Sequence, residues 1–213
     1  MKKVVAFLFI CVIALSFYGT AEAVVLFNNF TPTDQYNTSS GWTTSRDYYG
    51  QTWEQGEGFT PPAGAYTLGT IELAMGFLQG SNEFDLWLMA DTSGQPGSII
   101  ESFHFSDAAG AFSTVNPPLL ATSVLQPTLY GGTQYWLIAS ATESGSWLAW
   151  NQNITGGVGP HAAKVNGGSW NVTYERTQGT FRVTGENAIP EPASMLLLGS
   201  GLVGLVGFKR RKR

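Results

Sequence analysis

Alternation with a period of two runs through the middle of this chain and constrains its fold more than any other feature. Ile71, Leu73, Met75 and Phe77 alternate with Glu72, Ala74 and Gly76. Phe84, Leu86 and Leu88 alternate with Asp85, Trp87 and Met89. Phe103 and Phe105 flank His104, and Phe181 and Val183 flank Arg182. Successive side chains of a strand point to opposite faces, so these runs predict strands with one buried face. Tyr135 to Ala139 is apolar throughout, as a central strand would be. Gly80-Ser81-Asn82 reads as a short hairpin-like link and Asp91 to Gly97 as a longer turn. Asn116-Pro117-Pro118 breaks any strand, while Gly131-Gly132 and Asn166-Gly167-Gly168 supply positive φ at little steric cost. Many short strands between frequent turns predict an all-β fold, a β-sandwich of jelly-roll type over residues 24–185. No repeat or long linker divides it, and Gly185 to Ile189 reads as a short tether.

The two ends of the chain are of another kind. Met1-Lys2-Lys3 is basic, Val4 to Phe17 is nearly unbroken apolar, and Ala21-Glu22-Ala23 is a small-x-small site. This is the three-part pattern of a Sec signal peptide, residues 1–23, cut after Ala23. An uncleaved anchor is the competing reading, disfavoured because the apolar run is shorter than a membrane span. Cleavage removes Cys11, the only cysteine, so the exported body carries no disulfide. Residues 24–189 are enough to bury about 70% of the unfolded surface without one. They hold four cations, Arg46, Lys164, Arg176 and Arg182, against thirteen acids. Phosphate contacts need Lys and Arg, so nucleic acid is excluded as a partner.

At the other end, Ala193 to Phe208 is a sixteen-residue apolar run. As a single transmembrane helix it spans about 24 Å, slightly short of a ~30 Å hydrocarbon core. Snorkelling and local thinning close the gap. Lys209, Arg210, Arg211, Lys212 and Arg213 form a basic stop that stays cytoplasmic. Pro190 and Pro192 hold the preceding linker, 186–192, extended, in the form a processing enzyme needs to grip a backbone. Pro190-Glu191-Pro192, the run from Ala193 to Gly199, the glycine-rich continuation and the arginine cluster together resemble a PEP-CTERM sorting signal. That resemblance implies export by the Sec translocon and anchoring in the inner membrane. It also implies recognition at Pro190-Glu191-Pro192 by exosortase, a membrane transpeptidase resembling cysteine proteases. The destination would be the surface or matrix of a Gram-negative bacterium that makes exopolysaccharide or biofilm. A plain single-pass anchor is the competing reading.

A broader resemblance covers residues 26–184. Leu26 to Phe30, Tyr36 to Trp42, Gly94 to Gly97, Gly132 to Leu137 and Trp150-Asn151 occur in the order found in choice-of-anchor domains, most like type R. That family has no established activity, so the resemblance implies architecture and location and supplies no catalytic residues.

Chemistry is sparse. His104 and His161 stand far apart, and no metal-ligand spacing or G-x-S-x-G elbow occurs. The expectation is a non-enzymatic protein with no cofactor and no metal. Asp91 near Gly94 and Gly97 offers oxygen ligands for calcium, but an Asx-type turn explains it more simply. Glu54, Glu57, Glu72, Asp85 and Glu101 are candidates for a glycosidase pair. They read instead as mostly solvated surface charges, and His104 as solvent-facing. The aromatics say more: seven Trp, eight Tyr and thirteen Phe. Sugar rings stack on exposed aromatics, and Trp42, Trp53, Trp87 and Trp170 are the candidates for binding a polysaccharide. Core packing is the competing fate. Trp147 and Trp150 are three apart and cannot share a face, so at least one packs inside.

Overall fold

The computed structural model describes residues 23–188; the expected signal helix and transmembrane helix lie outside them. The described chain forms fifteen β-strands and no helix. Two sheets result. The smaller runs β1 (Val24–Asn28), β15 (Phe181–Asn187), β4 (Ala65–Leu73), with β10 (Thr128–Tyr130) and β9 (Leu119–Thr122) sharing the far edge of β4. The larger begins β7 (Gln95–Ser106), β6 (Glu83–Thr92), β11 (Tyr135–Ala141), β3 (Gln51–Phe59). It continues through β2 (Gly41–Tyr48), β12 (Ser146–Asn151), β5 (Met75–Gln79) and β8 (Gly110–Ala111). β13 (Val158–Val165) also pairs with β3 and carries β14 (Asn171–Thr177) beyond it. All these pairings are antiparallel except β5 with β8.

The apolar faces of both sheets meet in one core, as a β-sandwich requires. Leu68, Ile71, Leu73, Phe181 and Val183 of the small sheet join Phe84, Leu86, Leu88, Leu137, Leu148 and Trp150 of the large one. β11 is the central strand its unbroken apolar run predicts, buried along its whole length between β6 and β3. Alternate β11 residues serve different clusters. Tyr135, Leu137 and Ala139 enter the main core, while Trp136 and Ile138 join Met89 and Ala162 in a second one.

Several expectations are corrected. The alternation from Ile71 to Phe77 is not one strand, because the chain leaves the small sheet at Ala74 and enters the large one at Met75. Ala74 keeps both backbone groups paired at this corner, its N–H donating to Thr180 and its C=O accepting from Asn151. Gly80-Ser81-Asn82 joins strands that are not neighbours, so it is no hairpin. Asp91 to Gly97 is shorter as a turn than it reads: β6 and β7 pair up to Thr92 and Gln95, leaving only Ser93 and Gly94, both at positive φ. That is the preferred geometry of a two-residue hairpin. Residues 185–187, read as tether, are the end of β15 and stay paired with β4.

Candidate functional site

The end of the small sheet positions both termini of the body. β15 pairs with β4 as far as Asn187 opposite Tyr66, and the Ala188 N–H donates to the Ala65 carbonyl at 2.9 Å. β1 starts beside this point, with Val24 opposite Gly185. Donors facing one neighbour alternate along an antiparallel strand, so the next donor toward β4 would come from residue 190. Residue 190 is proline and has no N–H. The first residue of the Pro-Glu-Pro motif therefore has no donor with which to extend the ladder. The signal site Ala21 and the motif and tail residues lie outside the described residues; Ala23 is exposed at their edge.

The four tryptophan candidates do not form one surface. Trp87 and Trp170 pack on the second cluster, over Trp136, Ile138, Met89 and Ala162. Lys164 sits 4.8 Å above the Trp170 ring and pairs with Glu54. Trp42 stands elsewhere, packed on the main core and tilted over His161 at 4.2 Å, with its indole N–H donating to the Thr177 carbonyl. Trp53 donates to Gln51 Oε1 at 2.9 Å. All four are half-buried. Trp150 is fully buried and Trp147 half-buried, as three-residue spacing requires.

A different aromatic grouping was not legible in the sequence. Trp147 lies opposite Ser45, and Ser45 lies opposite Trp53. Directly opposed residues share a face, so the two indoles flank a buried serine at two strand spacings, about 9.5 Å. Neither belongs to either apolar cluster. Tyr48 stacks on Trp147 at 4.6 Å and 25°, and Tyr49 beside it is 90% exposed, the most exposed large apolar residue of the body. The Tyr48-Tyr49-Gly50 run at the β2–β3 turn was the available signal.

The acidic candidates are all engaged. Glu72 pairs with Arg182, which also holds Asp34 at 3.0 Å. Asp85 meets the exposed His104 at 2.9 Å, so that histidine faces solvent as expected. Glu54 holds Lys164. Glu57 and Glu101 depart from the expected solvated state and are buried. Glu101 accepts from Ser123 Oγ and from the Val124 and Leu125 amides, pinning the β9–β10 loop. Glu57 Oε1 faces His161 Nδ1 at 3.1 Å and accepts from the Gly179 amide at 2.8 Å. Burial pushes the Glu57 carboxyl above the usual carboxylate range, and the bonds from His161 and Gly179 offset only part of this. Asp91 makes the Asx-type turn: one oxygen accepts from the Gly94 amide, the other from Trp136 Nε1 and Gln134 Nε2. Among the described residues, no three His, Cys, Asp or Glu side chains converge on a metal position.

An all-β body followed by a Pro-Glu-Pro motif, an apolar run and a basic end defines a class: an exported domain carrying a sorting signal at its C-terminus. Residues 188–212 match the PEP-CTERM protein-sorting motif. The match implies export, a membrane-anchored C-terminal signal, processing by an exosortase-type membrane enzyme and delivery toward the cell surface. No curated protein matches the chain.

Proposed function

We propose that this is a non-enzymatic surface or extracellular-matrix protein, released from its anchor by exosortase near Pro190-Glu191-Pro192. The observation that carries the reading is the sorting motif at residues 188–212, which begins on Ala188, a residue still hydrogen-bonded to Ala65 of the folded sandwich. In this reading, the body is a jelly-roll-like domain of the choice-of-anchor kind, and it works in association with exopolysaccharide or biofilm. The occupied carboxylates support a role without catalysis, because each candidate acid already serves a structural partner. Mass spectrometry of mature protein from exosortase-positive cells tests the sorting claim. A mature form ending near the motif is expected, and an intact tail on all of it would refute the reading.

One observation favours a second, compatible reading, that the body binds polysaccharide directly. Trp147 and Trp53 flank Ser45 at about the separation of alternate rings in an extended pyranose chain. Indole faces stack on the C–H faces of sugars, and Tyr48, Tyr49 and Gln51 supply further rings and polar groups beside them. Pull-down on host exopolysaccharide tests it. Trp147→Ala and Trp53→Ala should each weaken retention, whereas Trp87→Ala should not. Equal retention of all three would remove the reading.

A further inference from the structure

The folded body leaves almost no slack before the sorting motif. Ala188 is still hydrogen-bonded to Ala65, and the motif's first proline is two residues on. Two extended residues reach about 7 Å, and the five from Ala188 to Ala193 about 17 Å. An enzyme that holds its substrate as an added strand needs several free residues on each side of the cut bond. So the body must rest against the mouth of the enzyme whenever the motif is engaged.

The surface that meets the enzyme can be named. Ala65 lies between Ala188 on one side and Tyr130 on the other. The Pro61–Gly64 loop is tied to the turn after β10: the Gly131 amide donates to Gly64 and the Gly132 amide to Pro61. β1 enters at the same end. Besides glycines, the exposed parts of this rim are Val25, Pro62, Ala63, Tyr130, Thr133, Glu186 and Asn187. Among the described side chains of this rim Glu186 is the only charged one, in a body with thirteen acids and four cations, and cleavage after Ala23 would set the α-ammonium of Val24 beside it. A neutral, partly apolar rim on an acidic domain suits close contact with another protein, where an unpaired charge would be costly.

We propose that this rim is a docking surface for the processing enzyme, and that cleavage depends on contact between the two as well as on the motif. The inference rests on the sorting reading above. Its test is pulse-chase processing of the full-length chain in cells that contain the enzyme. Tyr130→Glu and Ala63→Arg place opposite charges on exposed rim positions. Each should slow processing about tenfold. A six-residue Gly/Ser insertion between Ala188 and Ile189 adds up to about 20 Å of reach and should make processing insensitive to either charge. A charged variant restored by the insertion has necessarily been exported, and a protease-resistant body in the same chase shows that it has folded. Three results would overturn the inference. Charged rims cut at the native rate would show that no contact is needed. Slowing that persists with the insertion would place the effect in export or at the lipid surface. An uncut native chain would remove the sorting reading, and this inference with it.

Discussion

Removing the Glu57 carboxylate should expose how much this sandwich depends on one buried acid. Glu57 is fully buried and its Oε1 joins β3 to His161 on β13 and to Gly179 ahead of β15. Glu57→Ala leaves the Gly179 N–H without its acceptor and strips His161 of its partner inside the fold. A buried donor left unsatisfied costs ~1–3 kcal/mol, and breaking a buried pair reaches ~3–5 kcal/mol. The expected loss is about 4 kcal/mol, or about 10 °C in Tm for a body of this size. Glu57→Gln separates charge from shape, because the amide oxygen can still accept both bonds. The sign follows from the raised carboxyl. Its stabilising effect is complete below the unfolded pKa of about 4.3 and is lost as pH rises through the higher folded value. The stability of Glu57→Gln relative to the native protein should therefore improve from pH 4 to pH 8. Urea unfolding of the mature protein at both pH values measures this. A Glu57→Ala loss under about 1 kcal/mol, or a Glu57→Gln difference that does not move with pH, would refute the argument.

Gly131→Ala should be worse than its size suggests. A Cβ there would lie 2.0 Å from the Pro62 carbonyl oxygen and 2.6 Å from the Ala63 Cα, both backbone, so a loss of at least ~2 kcal/mol is expected in thermal unfolding. Gly56→Val should cost ~1–3 kcal/mol, because its Cβ would approach Ile138 Cδ1 at 2.5 Å and Ala162 Cβ at 3.3 Å, but the Ile138 tip can turn aside. Glu101→Ala frees Ser123 and the amides of Val124 and Leu125, and limited proteolysis should then cut between Ser123 and Gln126 faster than in the native protein.

What could be read from the chain alone was local. The sorting motif is linear, and Pro190 and Pro192 act through bonds they lack wherever they sit. The β11 run announces a central strand because burial on both faces leaves no polar position. Alternation through Ala74 gave parity but not sheet: a strand that changes sheets keeps its period. Glu57 and Glu101 looked like surface acids because their partners are distant in sequence, at His161, Gly179 and Ser123 to Leu125. The same limit scattered the tryptophans. Trp42, Trp53, Trp87 and Trp170 were grouped by their polar neighbours in sequence. Only the register of β12 on β2 and of β2 on β3 brings Trp147 beside Trp53.

The place of β15 has a consequence for how the protein crosses the membrane. β15 lies between β1 and β4, so the last strand to emerge separates the first from its sheet. Throughout export, β1 has no neighbour and one side of β4 stays open. Unpaired edges of this kind recruit other chains. Completion also waits for contacts between opposite ends of the body, the slowest kind to form. The sheet can close only when Asn187 is outside, and by then the apolar tail is entering the bilayer. The strand that pairs both open edges is thus the last of the body to leave the cell, immediately ahead of the sorting motif.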